Sequence, residues 1–349
     1  MRIVVDVMGG DHGCEVVIHG VKLALESHSQ ITELYLAGNQ KEIEPALIKV
    51  GLKDSRLRIV HASEVLTMED KPAQAVRRKK DASIARAVDL VKEGRAEAII
   101  SCGNTGGIMA TATLKLRPMT GVDRPGIATV IPTEQNEFVL LDSGANIDCK
   151  PIHLAHYAVM GNVFAREILG IKNPRVGLLS IGSEDIKGNE LTLEAFKLCK
   201  ELNLNFIGNV EGYDLFKNKV DVVVCDGFVG NVVLKTMEGM AKGIFGWIKR
   251  ELSQNLKRKA GGMLARNAFR SIARRLDADN FGGAPLLGLN GVVMKSHGSA
   301  KEHAIMNAVR VASVTIKHEV NRIIGREIAE ANQRLNHSGN QANPPSEAA

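Results

Sequence analysis

Four polar, glycine-bearing segments each follow a short apolar run. They are Asp6-Val7-Met8-Gly9-Gly10-Asp11-His12-Gly13, Ser101-Cys102-Gly103-Asn104-Thr105-Gly106-Gly107, the longer stretch from Ser180 through Lys187-Gly188-Asn189-Glu190, and Asp226-Gly227-Phe228-Val229-Gly230-Asn231. The apolar runs read as strands, and the turns open into helix-period sequence. In open parallel sheets a ligand sits beyond the carboxyl ends of the strands, where helix N-termini present unpaired N–H groups to an anion. Glycine lets that backbone come close. Four such turns on one edge imply an anionic, phosphate-bearing ligand. No G-x-G-x-x-G follows the first strand and no G-x-x-x-x-G-K-[ST] occurs, which disfavours a dinucleotide site or a P-loop.

Other chemistry-bearing residues point less far. His153 and His156 stand three apart on a helix, but no carboxylate or cysteine completes a metal set. Cys102, at a strand end, has the position of an acyl-accepting nucleophile; without a nearby base it reads as a small buried thiol. Lys71-Pro72 and Arg77-Arg78-Lys79-Lys80-Asp81 form a basic cluster that suits a solvated helix face, an acidic partner protein or a substrate phosphate.

The elements that must position these turns alternate along the chain. Strands are expected at 3–6, 34–37, 57–60, 98–101, 127–131, 138–141, 176–180, 206–208, 220–225 and 291–294. Helices are expected at 14–28, 41–50, 82–93, 106–115, 151–169, 189–199 and 300–325, the last with Ile305, Val309, Ala312, Ile316, Val320 and Ile323 on one stripe. Such alternation predicts an α/β fold: three α/β/α layers around a mostly parallel sheet, forming one domain over residues 1–330.

The 349 residues are 44% hydrophobic and 24% charged, enough for a sizeable core, while 4% aromatics argue against stacking single-stranded nucleic acid. Between residues 242 and 275 ten lysines and arginines face one acid, more positive charge than the net +6 of the whole chain. With apolar stripes at Met240, Ile244, Trp247, Ile248 and Leu252 and at Phe269, Ile272 and Leu276, residues 235–276 read as a helical hairpin broken at Gly261-Gly262. Its tip carries Leu256, Lys257, Arg258, Lys259, Met263 and Leu264. Two roles stay open for it, a dimerisation arm and a reversible membrane contact in which apolar insertion and attraction to anionic lipid add. No run of about 18 uncharged apolar residues spans a bilayer, and five scattered cysteines suit reduced thiols in a cytoplasm. Residues 336–349 lack periodicity and read as a disordered tail.

At the turns the chain resembles a known family. The blocks Asp6-x-Met8-Gly9-Gly10-Asp11-His12, Lys71-Pro72-x-x-Ala75-x-Arg77-x-Lys79-Lys80-Asp81, Gly103-Asn104-Thr105-Gly106, Gly144-Ala145-Asn146, Lys187-Gly188-Asn189-Glu190 and Asp226-Gly227-Phe228-x-Gly230-Asn231 occur in order over residues 1–330. They are similar to the acyl-carrier-protein:phosphate acyltransferase family of bacterial phospholipid synthesis, the PlsX family. Gly13-Cys14 replaces the family's Ala-Pro, and Cys102 stands where the family has Ala.

The resemblance implies a fold like that of phosphotransacetylases and isocitrate/isopropylmalate dehydrogenases, as a homodimer without cofactor or metal. The implied reaction is reversible transfer of a fatty acyl group from acyl carrier protein to inorganic phosphate, the product feeding a membrane glycerol-3-phosphate acyltransferase. The implied setting is the cytoplasm, at the inner face of the membrane. On this reading Lys187, Asn189, Asn231 and Asp226 serve catalysis. Gly10, Asp11, His12, Asn104, Thr105, Glu190 and Lys235 bind substrate. The alternatives are a metal-dependent dehydrogenase on the same fold and a non-catalytic membrane scaffold.

Overall fold

The computed structural model describes residues 1–67, 69–276 and 282–342. Strands and helices are numbered along the chain. One sheet of seven strands has the order β3 (Leu57–His61), β2 (Glu33–Gly38), β1 (Arg2–Asp6), β4 (Ala98–Ser101), β12 (Val292–Lys295), β11 (Ala284–Leu287) and β5 (Gly126–Ile127). Only β11 runs antiparallel to its neighbours. A second sheet of five strands has the order β6 (Thr129–Pro132), β7 (Glu137–Leu141), β10 (Val222–Val224), β8 (Val176–Leu179) and β9 (Phe206–Val210), with β6 antiparallel.

Strand alternation decides the layers. In the first sheet Ile3, Val5, Leu34, Leu36, Ala98 and Ile100 face α1 (Gly13–Ser27), α2 (Gln40–Val50) and α11 (Glu302–Lys317). Their neighbours Val4, Tyr35, Ala37 and Ile99 face α4 (Ser83–Lys92) and α5 (Thr105–Leu116), with α3 (Pro72–Arg78) beside α5. Both faces are dry, so these strands are continuously apolar, as a helix-covered parallel sheet requires. In the second sheet Val139, Leu141, Val176, Leu178, Val222 and Val224 pack on α6 (Pro151–Ile168), α7 (Glu190–Glu201) and α12 (Val320–Ala342). The opposite face, Phe138, Leu140, Leu179 and Val223, meets Val233, Leu234 and Met237 of α8 (Gly227–Leu252).

The α/β class and the dominance of parallel strands are as the sequence implied, but the strands divide between two sheets. The expected strand 127–131 breaks at Ala128, whose N–H donates to Pro285 O (3.0 Å) as the chain passes from one sheet to the other. Strand β11 and helix α3 were not expected. The expected helix 300–325 is two helices, because Glu319 adopts a left-handed φ of 51° between α11 and α12. Residues 336–342, expected in a disordered tail, continue α12, whose Ile324, Ile328, Ala331 and Leu335 pack on the second core. Residues 343–349 lie outside the described residues.

The basic arm also differs in detail. Asp226 caps α8, so the arm's outgoing leg starts at Gly227 and runs 26 residues without a break. The return leg is two helices, α9 (Leu256–Leu264) and α10 (Arg266–Arg275), and α9 runs straight through Gly261-Gly262. The reversal falls instead at Ser253–Asn255, where Asn255 Oδ1 accepts the Arg258 N–H (2.9 Å).

Asp81 ties the loop after β3 to the start of α4: its carboxylate accepts Ser63 N–H (2.9 Å) and Ser63 Oγ–H (2.6 Å) and pairs with Arg86 (2.5 Å). The Ser63 bonds and then Arg86 hold its pKa down at about 2, from 3.8. A carboxylate depressed on folding stabilises above its unfolded pKa, and that support is lost as pH falls through the folded one. Acid unfolding should therefore steepen between about pH 4 and 2, and Asp81→Asn should flatten that part of the curve. An unchanged curve, followed by circular dichroism, would contradict this.

Candidate active site

The strand-end turns of the first sheet are held against one another. A Cβ on Gly9 would lie 2.6 Å from Gly103 N, so the β1 and β4 turns meet backbone to backbone, a contact only glycine allows. Buried Asp6 stands beneath them: Oδ2 accepts Ser101 Oγ–H (2.7 Å), Oδ1 accepts Met8 N–H (3.2 Å), and Ser101 Oγ accepts Gly103 N–H (3.1 Å). Burial pushes its carboxyl above the ordinary range, with those bonds opposing. Asp11 N–H then donates to Gly298 O (2.8 Å), adding the turn after β12.

On the second sheet Asp142 does the same work. Fully buried, it accepts N–H groups from Ile127 (3.0 Å), Gly144 (3.1 Å), Ala145 (2.9 Å) and Asn146 (2.8 Å). Burial raises its pKa and the N–H donors oppose the rise. Asp226 Oδ1 accepts Phe228 N–H (2.9 Å) and Val229 N–H (3.0 Å), and Gly227 N–H reaches Asn146 O (2.8 Å).

Between these two sets of turns lies a cleft of about 510 Å³ at the carboxyl ends of β1, β4, β7, β10 and β12. Thr105 and Gly227, the first residues of α5 and α8, stand in its wall, so two helix N-termini meet there. Asp11, Thr129, Ser143, Asn231, Lys235, Lys295 and His297 supply the other polar side chains; Ile127, Ile147, Phe228 and Val232 form an apolar flank. Lys235 pairs with Glu238 (2.8 Å). Lys295 has no carboxylate within ion-pair distance among the described residues, and burial followed by the charge of Lys235 pushes its pKa down. His297 is lowered by burial, Lys295 and Lys235. Its Nδ1 accepts Ser299 N–H (3.2 Å), which leaves the neutral ring's proton on Nε2.

Of the expected site residues, Asp11, Thr105, Asn231 and Lys235 line this cleft. Gly10 and His12 belong to the same β1 turn, His12 exposed at the start of α1. Asn104 and Asp226 use their side chains to cap α5 and α8. Lys187, Asn189 and Glu190 do not line the cleft; Lys187 and Asn189 sit on the loop after β8, the strand beside β10, and Glu190 is the first residue of α7. There Asn189 Oδ1 accepts Thr192 N–H (2.9 Å), Lys187 O accepts Ser180 Oγ–H (2.9 Å), and the Lys187 and Glu190 side chains are exposed. Leu256, Lys257, Arg258, Lys259, Met263 and Leu264 all lie on α9, with no residue of that helix buried. In the second basic cluster Lys79 is tied to Asp70 (2.6 Å), whereas Arg77, Arg78 and Lys80 are exposed.

The reading of the sequence missed Lys295, His297 and Asp142. The signal for the first two was present: Lys295-Ser296-His297-Gly298 is a fifth glycine-bearing turn at a strand end.

The other candidates have structural partners. His153 Nδ1 accepts Lys150 N–H (3.0 Å), and His156 Nε2 bonds Asn332 Oδ1 (2.9 Å). Among the described residues no three His, Cys, Asp or Glu side chains converge as a metal ion needs. Burial pushes the Cys149 thiol up to about 11 and that of Cys199 to about 12, and Cys225 is raised the same way; Cys102 is 1% exposed.

A protein-family model described as "fatty acid synthesis protein" matches residues 1–323. The chain is 47% identical over 330 residues to a phosphate acyltransferase of Halothermothrix orenii, covering 94% of this chain and 98% of that one. It is 51% identical over 314 residues to a phosphate acyltransferase of Heliobacterium modesticaldum, covering 89% and 93%. Among solved structures, a phosphotransacetylase from Streptococcus pyogenes superposes with a TM-score of 0.61 at 21% identity, over 91% of this chain and 94% of the other. That likeness is one of fold.

Proposed function

The chain belongs to the phosphate acyltransferase family of fatty acid and phospholipid synthesis and is an acyltransferase; from that premise we propose that it moves a fatty acyl group from acyl carrier protein to inorganic phosphate. The observation that carries this reading is a cationic cleft, walled by two helix N-termini, whose hydroxyls lack a base. Ser143 Oγ is bonded to Thr129 Oγ1 (2.7 Å) and Ile127 O (3.0 Å). None of the lining hydroxyls, Thr105, Thr129 and Ser143, is bonded to a histidine or carboxylate among the described residues. Phosphate is then itself the nucleophile.

One oxygen of hydrogen phosphate attacks the thioester carbonyl, the C–O bond forms, and the C–S bond breaks as the tetrahedral intermediate collapses. The phosphate's proton passes to the departing thiolate, giving acyl phosphate and free carrier thiol. A thiolate leaves readily, so the protein's task is to hold phosphate against the carbonyl, worth several kcal/mol of barrier. Donors facing the developing oxyanion add to this. Asn231 and the first N–H groups of α5 suit the oxyanion, and Lys235 suits phosphate; the first N–H groups of α8 are held by Asp226 and Asn146. Asp11 or His12 orients phosphate or exchanges a proton, Gly10 keeps the turn close, and Asp226 and Asn104 hold the two helix starts. Lys187 and Glu190, exposed at the neighbouring end of β8, suit contacts to the part of the substrate that extends beyond the cleft, and Asn189 holds the start of α7 beside them. The apolar flank receives the first carbons of the acyl chain.

The carrier protein is acidic, and exposed Arg77, Arg78 and Lys80 suit its approach. The basic arm suits a second copy of the chain and an anionic membrane surface, which would place the product beside a membrane glycerol-3-phosphate acyltransferase. No described helix is long and apolar enough to cross a membrane. On α9, Leu256 (84% exposed) and Leu264 (89%) are set among lysines and arginines, the pattern of an interfacial contact. Leu256→Asp with Leu264→Asp should lower binding to anionic vesicles at least about tenfold while soluble turnover persists; unchanged binding would remove the tip from that role.

The test of the function is thioester loss from palmitoyl-acyl carrier protein, with hydroxylamine trapping the product. Loss that requires phosphate and yields acyl hydroxamate supports the reading. No turnover by the folded protein would defeat it.

A further inference from the structure

Adjoining the cleft, the turn after β12 lines a smaller chamber of about 90 Å³. Lys295 and His297 border both spaces, and Ser296, Thr129 and Glu238 complete the polar part of the chamber wall. Ser296 is 1% exposed, and its Oγ has no hydrogen-bond partner among the described residues. Buried hydroxyls are almost always paired, so an orphan one marks a missing partner. Next to it in sequence stands Lys295, a largely buried ammonium with no ion pair among the described residues. Two residues, one carrying a cation and one a hydroxyl, neither with an acceptor among the described residues, thus border one chamber with room for about three waters at ~30 Å³ each. An oxyanion of phosphate size satisfies both.

We propose that Lys295 and Ser296 form the anchoring subsite for inorganic phosphate, taking its non-reacting oxygens into the smaller chamber and leaving one oxygen facing the thioester in the main cleft. This rests on the function proposed above and deepens it. The two lysines among the expected catalytic and substrate-binding residues are less well placed to anchor phosphate. Lys235 already shares its charge with Glu238 at 2.8 Å, and Lys187 is exposed on a loop that does not line the cleft. Glu238 is the carboxylate that would repel phosphate in the chamber, and its pairing with Lys235 blunts that repulsion. Lys295 and Lys235 disfavour one another's charge, and a bound dianion relieves that conflict.

The test measures phosphate binding by calorimetry on the full chain, together with KM for phosphate and for palmitoyl-acyl carrier protein. Lys295→Met should weaken phosphate binding and raise its KM about 10- to 100-fold, the order lost with a hydrogen bond to a charged group. Ser296→Ala should do so about tenfold without lowering the unfolding temperature, since it deletes a hydroxyl that no other described residue bonds. Lys295→Arg should recover part of the loss, and KM for the acyl donor should change less than about twofold throughout. Wild-type phosphate affinity in a folded Ser296→Ala and a folded Lys295→Met would overturn the subsite. Calorimetry separates the two readings: if the wild-type chain binds phosphate through Lys295 yet makes no acyl hydroxamate, the functional reading fails while the subsite stands.

Discussion

An Asn231→Ala variant should fold as the wild type does and lose about 100- to 1,000-fold in kcat, the cost of removing one oxyanion donor. Asn231 lies one turn into α8, in the cleft wall, with its carboxamide bonded to no other described residue. Its side chain rests near Gly144, where an added Cβ would come within 3.4 Å. An exposed amide with no internal partner contributes little to stability, so its loss should be felt in turnover alone. The position is fixed from below: the Asp226 cap starts the helix, and the N–H groups gathered by Asp142 fix the loop opposite. Near-normal kcat in a folded Asn231→Ala would remove this residue from the mechanism and shift the oxyanion to the backbone donors at the start of α5.

Gly230→Ala should damage the fold itself. A Cβ at residue 230 would overlap the Asp142 carbonyl oxygen, which belongs to backbone held by four N–H bonds to the Asp142 carboxylate. Neither side can yield without disturbing the other. Overpacking of this kind costs about 3 kcal/mol or more, which for a chain of this size should lower the unfolding midpoint by about 4 °C or more. Activity should fall with it, since α8 carries Asn231 and Lys235. Gly325→Ala in α12 is the matched control: nothing lies within 4 Å of the added Cβ, so it should be neutral or stabilising by up to about 1 kcal/mol. Equal melting temperatures for the two variants would show that the Asp142–Gly230 contact is not the constraint described.

The fold's class was legible because fully buried parallel strands are continuously apolar and the intervening helices carry a separate period. The split into two sheets was not. Nothing in the residues around Ala128 differs from an unbroken strand; the break is made by Pro285, more than 150 residues away, whose carbonyl captures the Ala128 N–H. The kink at Glu319 escaped for a similar reason, as neither glycine nor proline marks it. Gly261-Gly262 misled in the other direction, because α9 tolerates both glycines while Asn255 sets the true boundary.

The site was partly legible. Glycine after a strand announces a close backbone approach, and four turns were found that way. Lys295 escaped because a lone lysine closing a strand reads as a solvated end, and its burial comes from α8 and the neighbouring turns. Asp142 escaped because one carboxylate after an apolar run gives no sign that four backbone donors will fold onto it. Conversely, Lys187 and Asn189 sit in as suggestive a turn as any, yet Asn189 spends its side chain on the α7 cap.

The central claim is that phosphate attacks the acyl thioester directly. The most direct measurement is the intact mass of the enzyme mixed with palmitoyl-acyl carrier protein, first without phosphate and then with it. Direct attack predicts an unmodified enzyme and an intact thioester in the first mixture, and free carrier protein with acyl phosphate in the second. A palmitoylated enzyme formed without phosphate would contradict it. Ser299, whose Oγ lies 2.8 Å from His297 Nδ1, would then be the first acceptor to test.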